Sequence, residues 1–298
     1  MAASVQGPWV DSGVSDPGLD LYRYERAASG VEAFADVGPA EVARFQEDGY
    51  LVVRRAFGPD TVRQALAGIL DLVAGCVPGF RGIQFEARGK GAADGLPPEE
   101  QQDHVRKLWL FCPHEPRLRA LAEDPALLAV VARLLRTGGA SPEAPGGDAP
   151  PLLFQDQAML KPPLGGREKP WHQDNAYFNV APDTPVVGVW IALDPATPEN
   201  GCMHLIPGSQ RAGPVVHFSR RDWQICDAQV ATARDVMVPL CPGGCLFFHG
   251  LLHHGTPANN SPQRRRALQF HYRPAGTPAT TSEQRLAVFG SEGKDVTC

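Results

Sequence analysis

The sequence predicts a mainly β fold, a jelly-roll-like double sheet with helices packed on its outside, and three observations carry that expectation. Helical periodicity is confined to the part of the chain before residue 136. After Pro151 the texture changes to short strand-like runs separated by Pro, Gly and Asn turns. The composition, 43% hydrophobic and 20% charged, is that of a globular chain able to bury a core. Helices first and many short strands after are the pattern of a double sheet with helices laid against it.

The elements follow in order. The opening residues are rich in Gly, Ser and Asp without a period, so residues 1–38 read as an N-terminal arm and 39–298 as a single domain. Pro39 suits a first helical position and Glu41 the positive end of the helix dipole. Val42 and Phe45 then lead to Gly49, a helix stop. Leu51 to Val53 reads as a strand. Asp60 to Ala74 places Val62, Leu66, Ile69, Leu70 and Val73 at the spacing of an amphipathic helix. Gly79 to Asp103 carries Gly, Pro and charge without a period and is expected to be a long loop and a candidate lid. Helical spacing returns over Leu118 to Leu135, interrupted by Pro125, and Thr137 to Pro151 reads as a surface insertion. Strands are expected at Leu152 to Leu160, Val186 to Leu193, Met203 to Ile206, Val236 to Leu240, Cys245 to Phe248 and Ala267 to Tyr272.

Charge and cysteine content narrow the function. A net charge of −5 and a pI near 6.0 give no field that would gather nucleic acid or an anionic membrane, so the expected partner is a small molecule. The N-terminus lacks a signal-peptide pattern and no apolar run is long enough to span a bilayer, which reads as intracellular and cytoplasmic. Seven cysteines, scattered without tight pairing, are expected to be free buried thiols. Oligomeric state is not legible.

The chemistry is concentrated in two places. Alternate residues of a strand share a face, so His172 and Asp174 in Trp171-His172-Gln173-Asp174 can meet one ion. An imidazole and a carboxylate need one more imidazole to form the facial triad of non-haem iron(II), and His249, His253 and His254 lie downstream. Alternation alone does not choose among them. The run Arg264-Arg265-Arg266 offers a bidentate cation for a dicarboxylate. Parity groups Arg265 with Ala267 and Gln269, against the apolar face of Leu268, Phe270 and Tyr272. Arg265 is therefore expected to face a cavity, with Arg264 and Arg266 at a solvated edge or against an anionic substrate group. Gln155, Gln157, Met159 and Lys161 share one strand face, which suggests a wet pocket. Gly188, Trp190 and Ala192 share another, with room for a ligand beside Trp190. His204, His217 and His271 read as structural histidines, and Tyr177, Phe178 and Trp223 as core or as an aromatic substrate wall.

The chain resembles the phytanoyl-CoA dioxygenase family, through His172-Gln173-Asp174, His254-Gly255 and Arg265, and through Val189 to Asp194, Glu199-Asn200-Gly201, Ile206-Pro207-Gly208-Ser209 and Phe45 to Tyr50. The resemblance spans about residues 40 to 275. It implies a double-stranded β-helix enzyme holding Fe(II) with His172, Asp174 and His254. It further implies 2-oxoglutarate and O2 as co-substrates, with Arg265, Trp190, Gln157 and Lys107 contacting 2-oxoglutarate. The implied outcome is hydroxylation of an unactivated C–H bond with release of succinate and CO2, and the presence of Asp174 argues against halogenation. A zinc-dependent hydrolase could use the same three ligands, and a β-sandwich binding protein could keep the pocket without turnover.

Overall fold

Two antiparallel sheets face one another with the site between them. The computed structural model describes residues 21–86, 90–136 and 149–290. Its strands are β1 (Tyr50–Val53), β2 (Ile83–Phe85), β3 (Val105–Trp109), β4 (Pro151–Lys161), β5 (Lys169–His172), β6 (Val187–Ala192) and β7 (Met203–Leu205). They continue with β8 (His217–Ser219), β9 (Trp223–Ile225), β10 (Val236–Val238), β11 (Cys245–His249), β12 (His254–Thr256) and β13 (Arg265–Pro274). The larger sheet runs β1-β11-β6-β13-β4-β3-β2, the smaller β10-β7-β12-β5, and β8 and β9 form a separate hairpin.

The helices are α1 (Pro39–Asp48), α2 (Pro59–Val73), α3 (Lys90–Ala93), α4 (Pro98–Gln101), α5 (Pro116–Ala122), α6 (Pro125–Arg136) and α7 (Ser282–Phe289). Pro at the first position starts α1 and α2, where the missing N–H costs nothing. Gly49 ends α1 with φ of 81°, a left-handed turn that favours glycine. None of these helices is long and apolar enough to cross a membrane.

Strand parity sorts the core. Val187, Val189, Ile191, Leu268, Phe270 and Tyr272 form one apolar cluster with Ile69 and Leu72 of α2 and Val131 and Leu134 of α6. Trp190, Ala192, Leu246, Phe248 and Ala267, from the opposite face, pack with Met203 and Leu205 of β7 and Val236 and Val238 of β10. The helices thus cover the outside of the larger sheet, as expected, and the smaller sheet covers the inside.

Several local expectations are corrected. Gly79 to Asp103 is not an irregular loop: it supplies β2, which lengthens the sheet edge beside β3, then α3, α4 and a 3-10 turn. Arg264 binds Asp103 at 2.6 Å and Arg266 reaches Gln102 at 3.1 Å, so the end of this segment is held by an ion pair and a hydrogen bond. The described part of the arm packs on the sheets, with Ala27 bridging Met237 and Val31 bridging Val53. The insertion expected at 137–151 lies largely outside the described residues, because the description resumes only at 149. Cys226 is disulfide-bonded, and of the free thiols Cys76 and Cys241 are exposed. Spacing along the chain says nothing of cysteines that meet in space. The Phe248 ring fills the space over Gly188, which a methyl group there would approach to 2.4 Å.

Candidate active site

His172 closes β5 and His254 opens β12, and the two residues are directly paired across the smaller sheet. Each imidazole is bonded through Nδ1 to the carbonyl two residues before it, Pro170 at 2.7 Å and Leu252 at 2.9 Å. A carbonyl only accepts, so both Nδ1 atoms carry the proton and both Nε2 atoms present a lone pair inward. The Nε2 atoms lie 3.3 Å and 3.5 Å from Asp174 Oδ1. One donor atom from each of the three residues falls within 4.8 Å of the others, and all three residues are buried.

Asp174 is not on the strand of His172. It opens a 3-10 turn, Asp174–Tyr177, after an extended Gln173, so alternation aims it correctly although the strand has ended. Two contacts hold that turn from behind. Asn175 N–H donates to Gly250 O at 2.9 Å, and Arg285 of α7 donates to Ala176 O at 2.5 Å. The carboxylate itself is divided. Oδ1 faces the imidazoles, while Oδ2 accepts from His271 Nε2 at 2.7 Å and from Gln269 Nε2 at 3.0 Å. Burial opposes ionisation of Asp174, but the nearby His254 and His271 hold its pKa well below the usual range. Burial and then the adjacent His254 push His172 down to about 3, so it is a neutral ligand at physiological pH.

A cavity opens in front of the triad. Lys107, Gln157 and Gln155 line it, as do Lys169, Tyr177, Phe178, Met159, Met203, Thr256 and Gln269. Lys107 and Gln157, expected at the site, are therefore in it. The Lys107 ammonium makes no hydrogen bond or ion pair with any described residue. Burial and then the charge of Lys169 lower it to about 7.

Arg265 and Trp190 do not line this cavity but adjoin each other behind it, the guanidinium 5.5 Å from the indole ring centroid. Arg265 is 1% exposed, and its Nε and Nη1 have no hydrogen-bond partner. No described carboxylate lies within ion-pair distance of it, whereas Arg264 is paired with Asp103 and Arg266 with Asp194 at 2.7 Å. Those two arginines are therefore committed to the fold, and neither is left for a substrate anion. A buried guanidinium with unused donors is costly unless an anion arrives, and burial already lowers its pKa to about 10. The three residues, two imidazoles and one carboxylate, form a donor set that suits iron(II). The orphaned donors of Arg265 fit a carboxylate.

Three site residues escaped the sequence. His271 reads as structural in the sequence yet binds Asp174; Gln269 shares the face of Arg265 with nothing to mark its role; no pattern marks Lys169. His204 and His217 are structural as expected, His204 binding Asp235 at 2.8 Å and His217 receiving the Gln173 N–H at 2.9 Å. Tyr177 and Phe178 line the cavity, while Trp223 lies in a separate apolar cluster with Phe289.

Comparison with known proteins places this geometry. The family model described as Phytanoyl-CoA dioxygenase (PhyH) matches residues 45–267. "Phytanoyl-CoA dioxygenase domain-containing protein 1" of Mus musculus is 26% identical over 276 residues, covering 80% of this chain and 90% of that protein. Among solved structures, EvdO2 from Micromonospora carbonacea var. aurantiaca, complexed with 2-oxoglutarate, is similar with a TM-score of 0.59 at 23% identity, covering 86% of this chain and 98% of that one. The epimerase SnoN, solved with Fe3+, alpha ketoglutarate and nogalamycin RO, also gives a TM-score of 0.59 at 22% identity, over 81% of this chain and 85% of its own. These two likenesses are of fold.

Proposed function

The chain belongs to the phytanoyl-CoA dioxygenase family, and from that premise we propose that it is an Fe(II)- and 2-oxoglutarate-dependent dioxygenase hydroxylating a C–H bond of a small-molecule substrate. The observation that carries this reading is Arg265, a fully buried guanidinium without a carboxylate partner, set behind a buried cluster of two imidazoles and one carboxylate. His172, Asp174 and His254 hold the metal. Bound iron, with 2-oxoglutarate and O2, supplies the oxidising chemistry that yields succinate, CO2 and the hydroxylated product.

The protein's own part is orientation and exclusion of water. The backbone carbonyls of Pro170 and Leu252 fix both imidazoles, and Gln269 and His271 hold Oδ2 so that Asp174 presents Oδ1. Arg265, beside Trp190, anchors the distal carboxylate of 2-oxoglutarate through a bidentate fork. Gln157 and Lys107 complete the co-substrate's surroundings from the adjoining strands β4 and β3. Phe248 packs 4.7 Å from the His254 ring and Tyr177 5.6 Å from the His172 ring, walls that keep water away from the reacting bond. An intracellular setting belongs to the same proposal.

A zinc-dependent hydrolase would use the triad but leave Arg265 without a task, and a binding protein would leave the aimed Nε2 lone pairs without one. The test is turnover of 2-oxoglutarate to succinate under air. The reading expects succinate with Fe(II), none with Zn(II), and strong loss in Arg265→Met. Succinate formation that is absent with Fe(II), or indifferent to Arg265, overturns it.

A further inference from the structure

Lys169 lies three residues before His172 on β5, and strict alternation would turn it away from the metal ligands. The register shows otherwise. His172 is opposite His254, but Lys169 is opposite Thr256, so β5 carries one extra residue between the two pairs. This bulge turns Lys169 onto the face of His172, and the ammonium enters the cavity wall. There it is held by Asp222 of the β8–β9 turn at 2.8 Å and by the Tyr177 hydroxyl at 2.6 Å, with its nitrogen 4.5 Å from the Tyr177 ring centroid. Asp222 is shared with Arg106 at 3.5 Å.

The charges around this wall do not cancel. On the reading above, the metal dication, Asp174, the two carboxylates of 2-oxoglutarate and Arg265 sum to zero. Lys107, Lys169 and Asp222 remain: Lys107, lowered by burial to about 7, is a partial cation, and Lys169 shares its one carboxylate with Arg106. The surplus is the same whichever ammonium 2-oxoglutarate meets. A partly dehydrated surplus of positive charge beside the reacting centre is costly when the cavity is empty and is relieved by an anion. The rest of the wall nearby, Tyr177, Phe178, Met159 and Met203, is aromatic or thioether and offers an apolar body a place to lie.

We propose that Lys169 receives a carboxylate of the prime substrate, a monoanion with an apolar body that lies against Tyr177 and Phe178. The proposal rests on the dioxygenase reading, and its test separates the two. Protein loaded anaerobically with Fe(II) and 2-oxoglutarate is titrated by calorimetry with hexanoate and 3-phenylpropanoate, then with their amides, and finally with hexanoyl-CoA. Appearance of the visible metal-to-ligand charge-transfer band on loading checks the underlying reading before any titrant is added. With the band present, a carboxylate is expected to bind at least about tenfold more tightly than its amide, the equivalent of about 1.4 kcal/mol. Lys169→Met should bring acid and amide within threefold of each other, and Lys169→Arg, which keeps the cation, should restore most of the preference. Equal binding of acids and amides by the wild type overturns the proposal without help from any variant. A response to hexanoyl-CoA alone also overturns it. Absence of the band before titration overturns the dioxygenase reading instead.

Discussion

Replacing Arg265 with Met should weaken 2-oxoglutarate binding severely while leaving the metal-free protein no less stable. The two halves of this expectation have one cause. The guanidinium is 1% exposed and lacks a carboxylate, so the empty protein carries its desolvation cost unrelieved. Methionine nearly fills the same space, and exchanging a buried charge for an apolar side chain is commonly neutral or stabilising by about 1–4 kcal/mol. With 2-oxoglutarate bound, the same exchange strands a buried carboxylate. Losing one partner of a buried charge pair costs about 2–5 kcal/mol, or roughly 30-fold to several thousand-fold in affinity. Anaerobic calorimetry of 2-oxoglutarate into the Fe(II)-loaded protein measures the second quantity and thermal unfolding of the metal-free protein measures the first. A loss of affinity below threefold would refute the assignment of Arg265. So would a clear fall in the melting temperature of the empty protein, since that is the mark of an arginine the fold requires.

Three further outcomes are expected. His271→Ala removes one of the two donors holding Asp174 Oδ2 and should weaken Fe(II) binding about 10- to 100-fold, read by competition with a chelator. Arg285→Ala frees the turn that carries Asp174 from α7 and should cost about 1–3 kcal/mol in urea unfolding, through lost charge-assisted hydrogen bonds. The metal-free protein should lose stability as pH falls from 7 towards 4. Burial lowers His172 and His217 to about 3 and His249 and His253 to about 4, so below the ordinary pKa of 6.5 the unfolded chain takes up protons that the folded chain refuses. That contribution is complete above about pH 7 and is lost through the window between the two pKa values, which melting curves at successive pH values will follow.

Much of the architecture was legible because it rests on period. Val187, Val189, Ile191 and Leu193 alternate with Gly188, Trp190 and Ala192, and the structure sends the two sets to different cores. The same parity separates Arg265 from its two neighbours and puts Gln269 on the face of Arg265. His254 was not legible in this way, since His253 and His249 offered the same chemistry, and the family resemblance identified it. What stayed hidden depends on partners distant in sequence or on broken registers. His271 meets Asp174 97 residues away. Lys169 is turned inward by an extra residue that only the pairing with β12 reveals. The described residues between 79 and 103 look aperiodic because an ion pair and a three-residue strand, not an apolar stripe, hold them.

The measurement closest to the central claim is an anaerobic titration of metal-free protein with Fe(II) and 2-oxoglutarate, followed in the visible range, beside Asp174→Ala. A charge-transfer band is expected that saturates at one Fe(II) and one 2-oxoglutarate per chain and is lost or weakened in the variant. A protein that binds Zn(II) tightly but gives no band with Fe(II) and 2-oxoglutarate would contradict it.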